Sequence, residues 1–136
     1  MSYVADTSVW IDYLRGVDSR QANYLDASLI SRRVIVPDLV LLEVLRGVDS
    51  QTTAVRVAAI LDNLEFAQIG GREIAGRAAD NFRALRAKGI TIRGTIDLMI
   101  GTWCIINGTP LLHNDRYFDM MEQHLGLERV SVESFQ

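Results

Sequence analysis

The sequence predicts an α/β protein, a three-layer α/β/α sandwich around a parallel five-stranded sheet, built as a single domain over residues 1–136. Two observations carry that expectation. Short apolar runs alternate along the whole chain with stretches of helical period, the pattern of right-handed βαβ units. The runs are also continuously apolar rather than alternating, as strands covered on both faces must be.

The first run, Tyr3–Asp6, reads as a short buried strand, and a helical pattern follows to about Gly16. Ser19–Ser31 is helical again, ahead of a second strand at Arg33–Pro37 (RVIVP). Asp38 is placed to cap a helix through Arg46 that stops at Gly47, and a further helix covers about Thr52–Asn63. Glu65–Ile69 is the third strand, and Gly71–Lys88 is a long amphipathic helix with Gly89 as its stop signal. Gly94–Asn107 is helical with Gly108 beyond it, Thr109–His113 is the fourth strand, Asp115–Leu125 a helix and Glu128–Val132 the fifth strand. No repeat, low-complexity segment or linker interrupts this order, and two prolines mark no domain boundary.

Composition narrows the class. A hydrophobic share of 49% in 136 residues suits one buried core and excludes a disordered chain. No apolar run approaches a membrane span, and no basic segment followed by an apolar one opens the sequence, so a cytoplasmic protein without membrane contact is expected. A single cysteine, Cys104, excludes a disulfide framework and a Cys-rich zinc site. The formal charge of −3 disfavours polyanion binding at first sight. Setting aside four acids gathered in one metal site turns it into +1, and a bound divalent ion cancels part of the local negative charge. Thirteen of the fourteen basic residues are arginine, which suits phosphate contacts but follows equally from codon bias.

Most acids occupy caps or solvated faces, so the informative ones lie among apolar neighbours. Four do. Asp6 ends the first strand and is followed by two hydroxyls, Thr7 and Ser8. Glu43 sits in "LVLLEVLRG", Asp97 in "GTIDLMIGTW", and Asp115 follows the fourth strand in "PLLHNDRYF". Each has an ordinary reading. Thr7 or Ser8 could cap the next helix with Asp6 as a turn residue, and Glu43 could pair with Arg46. Asp97 could complement a helix dipole with Thr95 as cap, and Asp115 could be an N-cap. Taken together they point elsewhere. Asp6 and Asp115 fall at carboxyl ends of strands, which in a parallel sheet open on one edge. Gly101, Cys104 and Gly108 share a face with Asp97, so that helix could lie close to the sheet and carry Asp97 inward. Four carboxylates within a few ångströms cannot all stay ionised without a cation. An oxygen-only set without a neighbouring His or Cys favours Mg²⁺ or Mn²⁺ over zinc. Such an ion makes a water more acidic and stabilises charge at a phosphodiester, the chemistry of metal-dependent nucleases.

The segments "VADTSVWIDYL", "LVLLEVLRG", "TIDLMIGTW" and "LLHNDRYFD", in this order, resemble the four motif regions of the PIN domain, and more narrowly the VapC-type ribonuclease toxins of bacterial type II toxin–antitoxin systems. The resemblance spans essentially the whole chain. It implies an endoribonuclease dependent on Mg²⁺ or Mn²⁺ that hydrolyses phosphodiester bonds in structured RNA such as tRNA or rRNA. It also implies a homodimer, neutralised by a VapB-type antitoxin in a heterotetramer or larger complex. Carried over by position, Asp6, Glu43, Asp97 and Asp115 form the acidic tetrad that binds metal and acts in catalysis, with Thr7 and Ser8 in support. Many relatives carry another acid two residues after the fourth, where this chain has Tyr117. Asp119, one helical turn after Asp115, is the candidate that contributes instead, through water.

Between Arg72 and Arg93 the chain concentrates Arg72, Arg77, Arg83, Arg86, Lys88 and Arg93 against only Glu73 and Asp80. For any one of them a solvated surface is the simpler reading; as a group they are the candidate RNA-phosphate contacts. The aromatic among them, Phe82, falls on the buried stripe of the helix with Ile74, Ala75, Ala78 and Leu85, so the local sequence supports no base-stacking platform. His113 and His124 lack metal-ligand spacing and read as structural, and Cys104 reads as a buried hydrophobe. Rival classes fit less well. A haloacid-dehalogenase-type phosphotransferase needs an acid where Ser8 stands, and a receiver domain needs paired acids near the start and a late lysine, whereas Lys88 lies in a long helix. A PIN-like module that binds RNA or a partner without cleaving it stays open.

Overall fold

The structure is a computed structural model and describes residues 1–133 and 135. In chain order the elements are β1 (Tyr3–Ala5), α1 (Thr7–Leu14), α2 (Arg20–Leu29), β2 (Val34–Pro37), α3 (Asp38–Arg46), α4 (Gln51–Asp62), β3 (Glu65–Ala67), α5 (Arg72–Arg86), α6 (Thr95–Asn107), β4 (Leu111–Leu112) and α7 (Arg116–Leu125). The four strands pair in parallel in the order β3-β2-β1-β4. Val4 is registered between Ile35 and Leu111, and Ala5 stands opposite Leu112. The chain therefore builds outward from β1 to β3, then returns to the far side of β1 to lay down β4. That reversal places a crevice at the carboxyl ends of β1 and β4, where ligands gather in open α/β sheets.

Every residue of β1, β2 and β4 is buried. Successive strand side chains point to opposite faces, so both faces of the sheet are covered. The helices α1 to α4 pack on one another in one group, and α5, α6 and α7 in another. Trp10, Leu25, Ile100, Leu111, Phe118 and Met121 are among the largest fully buried side chains. Truncating such a residue, as in Leu111→Ala, costs about 2–5 kcal/mol through lost transfer energy and the cavity left behind.

The expected fifth strand over Glu128–Val132 is not formed, and the sheet has four strands among the described residues. What stands there is a single parallel bridge between Leu111 and Arg129. It is held by the Leu111 N–H donating to the Glu128 carbonyl at 2.9 Å and the Val130 N–H to the Leu111 carbonyl at 3.1 Å. The reason lies in β4. Pro110 before it has no N–H to donate, and after Leu112 the chain turns away into His113–Asp115, so no longer ladder is available.

Helix ends follow local chemistry. Ser19 and Ser50 cap α2 and α4, accepting from the Ala22 N–H at 3.0 Å and the Thr53 N–H at 3.2 Å. Asp38 is the first residue of α3 rather than its cap; its Oδ1 accepts from Leu39 N–H at 2.9 Å and from Ile69 N–H at 3.0 Å, tying the segment after β3 to α3. Gly108 ends α6 at φ 62°, a left-handed position where glycine is free of steric cost. The expectation that Gly101, Cys104 and Gly108 form one sheet-facing stripe is thus corrected. Gly101 serves instead to let α7 approach, since a Cβ there would lie 2.4 Å from Met121 Cε.

Candidate active site

Asp6 is the residue at which β1 stops. Its N–H still donates to the Leu112 carbonyl at 2.9 Å, so the backbone is fixed by the sheet while the side chain leaves it. The side chain makes no cap hydrogen bond to α1, and the two hydroxyls that follow do not cap the helix either. Ser8 Oγ donates to Asp6 Oδ2 at 2.6 Å, and Thr7 Oγ1 donates to Glu43 Oε1 on α3 at 2.6 Å. Both hydroxyls are spent on orienting carboxylates, which removes the ordinary reading of this turn. Asp6 is 3% exposed, and its Oδ1 is buried without a hydrogen-bond partner among the described residues.

Asp97 stands in the first turn of α6, whose N-cap is Gly94, not Thr95. A Cβ at Gly94 would lie 2.7 Å from Asp97 Oδ2, so the carboxylate folds back over a backbone that has no side chain. The Asp97 carboxyl is pushed up from 3.8 to about 7 by burial first, and then by the negative charges of Asp6, Glu43 and Asp115. Three acids from three other segments act on one carboxylate. Asp115 is indeed an N-cap, its Oδ1 accepting from Tyr117 N–H at 2.8 Å. It nevertheless raises the Asp6 carboxyl, whose pKa is driven up mainly by burial and lowered in part by the Ser8 hydrogen bond. Capping and membership of the acid group are compatible, because a carboxylate has two oxygens.

One oxygen of Asp6, Glu43 and Asp115 is thus pinned by a hydrogen bond, which fixes each group without using its second oxygen. No three of the tetrad acids place one oxygen each within 4.8 Å of the others, and the set that does among the described residues is His113, Asp119 and Glu122. That second cluster is already filled. His113 Nε2 is bonded to Glu122, and its Nδ1 accepts the Asp115 N–H at 3.2 Å. The Arg129 guanidinium pairs with Asp119 and reaches Glu122 at 2.9 Å. Asp119 is therefore engaged by Arg129 rather than turned to the tetrad. The expectation of no neighbouring His or Cys is corrected in detail. His113 adjoins Asp115 with both ring nitrogens occupied, and the Cys104 thiol is pushed far up by burial and by Asp6, which keeps it neutral.

The six basic candidates are all exposed but do not share one surface. Arg72, Arg77 and Arg83 line a shallow face of α5, where Arg83 pairs with Asp80. Arg93 lines a different groove together with Arg116 and Tyr117. Sequence proximity along α5 hid this grouping, since Arg116 and Tyr117 come from α7.

Among the described residues no helix is long and apolar enough to cross a membrane. The PIN domain family model matches residues 3–122. A VapC ribonuclease of Mycobacterium bovis is 26% identical over 128 residues, covering 93% of this chain and 96% of the relative. The ribonuclease VapC11 of Mycobacterium tuberculosis matches to the same extent, 26% identical over 93% of this chain and 96% of its own length. In shape the chain is similar to VapBC2 from Rickettsia felis bound to a promoter DNA fragment, with a TM-score of 0.75, 18% identity and coverage of 96% of this chain and 98% of that one. It is likewise similar to DNA-bound VapBC from Salmonella typhimurium, with a TM-score of 0.70, 16% identity and coverage of 96% and 97%. A parallel sheet whose first and last strands deliver Asp6 and Asp115 to one crevice, and a family match that runs from the start of β1 into α7, lead to one conclusion: this chain belongs to the PIN domain family.

Proposed function

We propose that this protein is a VapC-type endoribonuclease toxin, dependent on Mg²⁺ or Mn²⁺, that hydrolyses phosphodiester bonds of tRNA or rRNA and is neutralised by a cognate VapB-type antitoxin. The observation that carries the reading is the Asp97 carboxyl, raised to about 7 by burial and then by the charges of three acids that sequence places far apart. The relatives named VapC ribonuclease and the VapBC complexes of similar shape support it. The toxin is expected to work as a homodimer and to assemble with antitoxin into a heterotetramer or larger particle.

The residues fit a hard cation. Asp6 Oδ1 is buried and has no hydrogen-bond partner among the described residues, and a buried polar oxygen without one is costly. The donors are oxygens, the set suited to Mg²⁺ or Mn²⁺. Asp6, Glu43, Asp97 and Asp115 would hold the ion, which would supply Lewis-acid stabilisation of charge developing on the phosphodiester. The chain's own contribution is orientation. Ser8 and Thr7 each hold one oxygen of Asp6 and Glu43, Tyr117 N–H holds one of Asp115, and Gly94 leaves room for Asp97. Preorganisation of this kind lowers the barrier because groups need not be gathered during reaction.

The test is incubation of purified protein with total RNA and Mg²⁺ or Mn²⁺, with and without chelator, beside Asp6→Asn and Asp97→Asn. Metal-dependent cleavage abolished by both substitutions is expected. RNA binding without cleavage would identify an inactive PIN-like module, and cleavage surviving both changes would remove the tetrad from the chemistry.

A further inference from the structure

A groove of about 410 Å³ is lined by Gly89, Ile90, Thr91, Arg93, Arg116, Tyr117 and Met120. Its two walls continue the segments that hold two of the four acids. Arg93 precedes Gly94, the cap of the helix that carries Asp97. Arg116 and Tyr117 follow Asp115, and the Tyr117 N–H is the donor that pins it. Both walls are thus joined through the backbone to acid-bearing segments, and a strand bound at the acids can extend into the groove.

The lining is of two kinds. Arg93 and Arg116 are exposed, and neither pairs with a carboxylate among the described residues. Ile90 and Met120 are half-buried apolar side chains. Between the two kinds, the Arg116 guanidinium lies over the Tyr117 ring with Cζ 5.4 Å from its centroid, a cation–π stack. Stacked planar groups and unpaired guanidinium charge over an apolar floor are what single-stranded RNA requires, because every base has a π-face and every link a negative charge. The volume lies in the range of small-ligand sites.

Resting on the ribonuclease reading, we propose that this groove is a subsite for one nucleotide of the RNA strand next to the scissile phosphate. Its base lies against the Arg116–Tyr117 stack and its phosphate lies against Arg93. Tyr117 and Arg93 act in binding and in the choice of cut site; the bond-breaking groups are the acids.

The experiment uses a single-stranded RNA of about ten nucleotides that the wild-type protein cleaves, with the cut mapped. The same RNA is then made with one abasic residue on either side of that cut. With wild type, one of the two abasic RNAs is expected to raise KM about fivefold or more at similar kcat. Tyr117→Leu, which keeps apolar bulk but not the ring, raises KM for intact RNA to the same degree and erases the abasic penalty; Tyr117→Phe keeps both at wild-type values. Arg93→Gln raises KM for intact and abasic RNA alike and lowers the slope of log KM against log salt by about one. The subsite is overturned if Tyr117→Leu leaves the abasic penalty in place, if it changes kcat alone, or if the two variants weaken antitoxin binding while cleavage is unchanged. Failure of the wild-type protein to cut any RNA is a different result and removes the ribonuclease reading itself.

Discussion

Thr7, the first residue of the first helix, donates its hydroxyl to Glu43 on α3 at 2.6 Å. A side chain at a position that ordinarily starts a helix is used to aim an acid 36 residues away. With Ser8 held on Asp6, the turn after β1 orients two acids from one dipeptide.

Thr7→Val keeps the shape of the side chain and removes that donor. Stability is expected to fall by about 1 kcal/mol, the usual net worth of such a bond, and RNA cleavage by roughly tenfold as Glu43 loses its orientation. Thr7→Ser restores both. Melting curves and initial rates on the same preparations check this; a rate unchanged in Thr7→Val would show that Glu43 is placed without the hydroxyl.

Gly94→Ala places a Cβ 2.7 Å from Asp97 Oδ2, closer than a side chain tolerates. The carboxylate must swing away, so cleavage is expected to drop about a hundredfold, the cost of an ångström-scale misplacement. The far-ultraviolet circular dichroism should be retained, since Gly94 lies outside the helix body. Full activity in this variant would mean that Asp97 has freedom the packing denies it.

The raised Asp97 carboxyl gives a pH dependence with a definite sign. Between 3.8 and about 7 the folded protein keeps a proton there that the unfolded chain has released. Without divalent ions stability therefore falls as pH rises through that window, and Asp6 acts in the same direction. Discounted for the partial exposure of Asp97, the loss is about 1 kcal/mol. Thermal melts from pH 5 to 8 in chelator should show it, Asp97→Asn should flatten it, and Mg²⁺ should raise the melting temperature more at pH 8 than at pH 5. A melting temperature that climbs with pH in chelator contradicts the assignment.

The two acid clusters separate by metal titration. Because Arg129 already engages Asp119 and Glu122, Glu122→Gln is expected to leave Mn²⁺ affinity within about twofold, while Asp97→Asn lowers it tenfold or more. Calorimetric titration distinguishes them, and a large effect of Glu122→Gln would move the ion to the His113 side.

Most of the arrangement was legible in the sequence because strand ends and apolar helix faces constrain where an acid can go. Asp6, Glu43, Asp97 and Asp115 were separated by such signals, and the structure brings their charges together. What was not legible depended on tertiary neighbours. A two-residue β4 limits the fifth strand to a bridge, which no local pattern at Glu128–Val132 reveals. Gly101 reads from sequence as a sheet contact, whereas Met121 of α7 packs against it. The stacking pair for Arg93 lies more than twenty positions downstream, so a search for aromatics among the arginines of α5 could not find Tyr117. The hydroxyls of Thr7 and Ser8 could cap or orient from sequence alone, and only the placement of α3 decides between the two.

The central strand is the first to be synthesised, yet its neighbour β4 and the acid that follows are among the last. A growing polypeptide on the ribosome that has not reached residue 115 holds three of the acids and lacks the strand that seats the fourth. Domains fold as units while synthesis proceeds, so the four acids cannot be assembled before the chain has been made through residue 115 and β4 has found its place beside β1. The order in which the segments leave the ribosome thereby delays the appearance of the finished acid set.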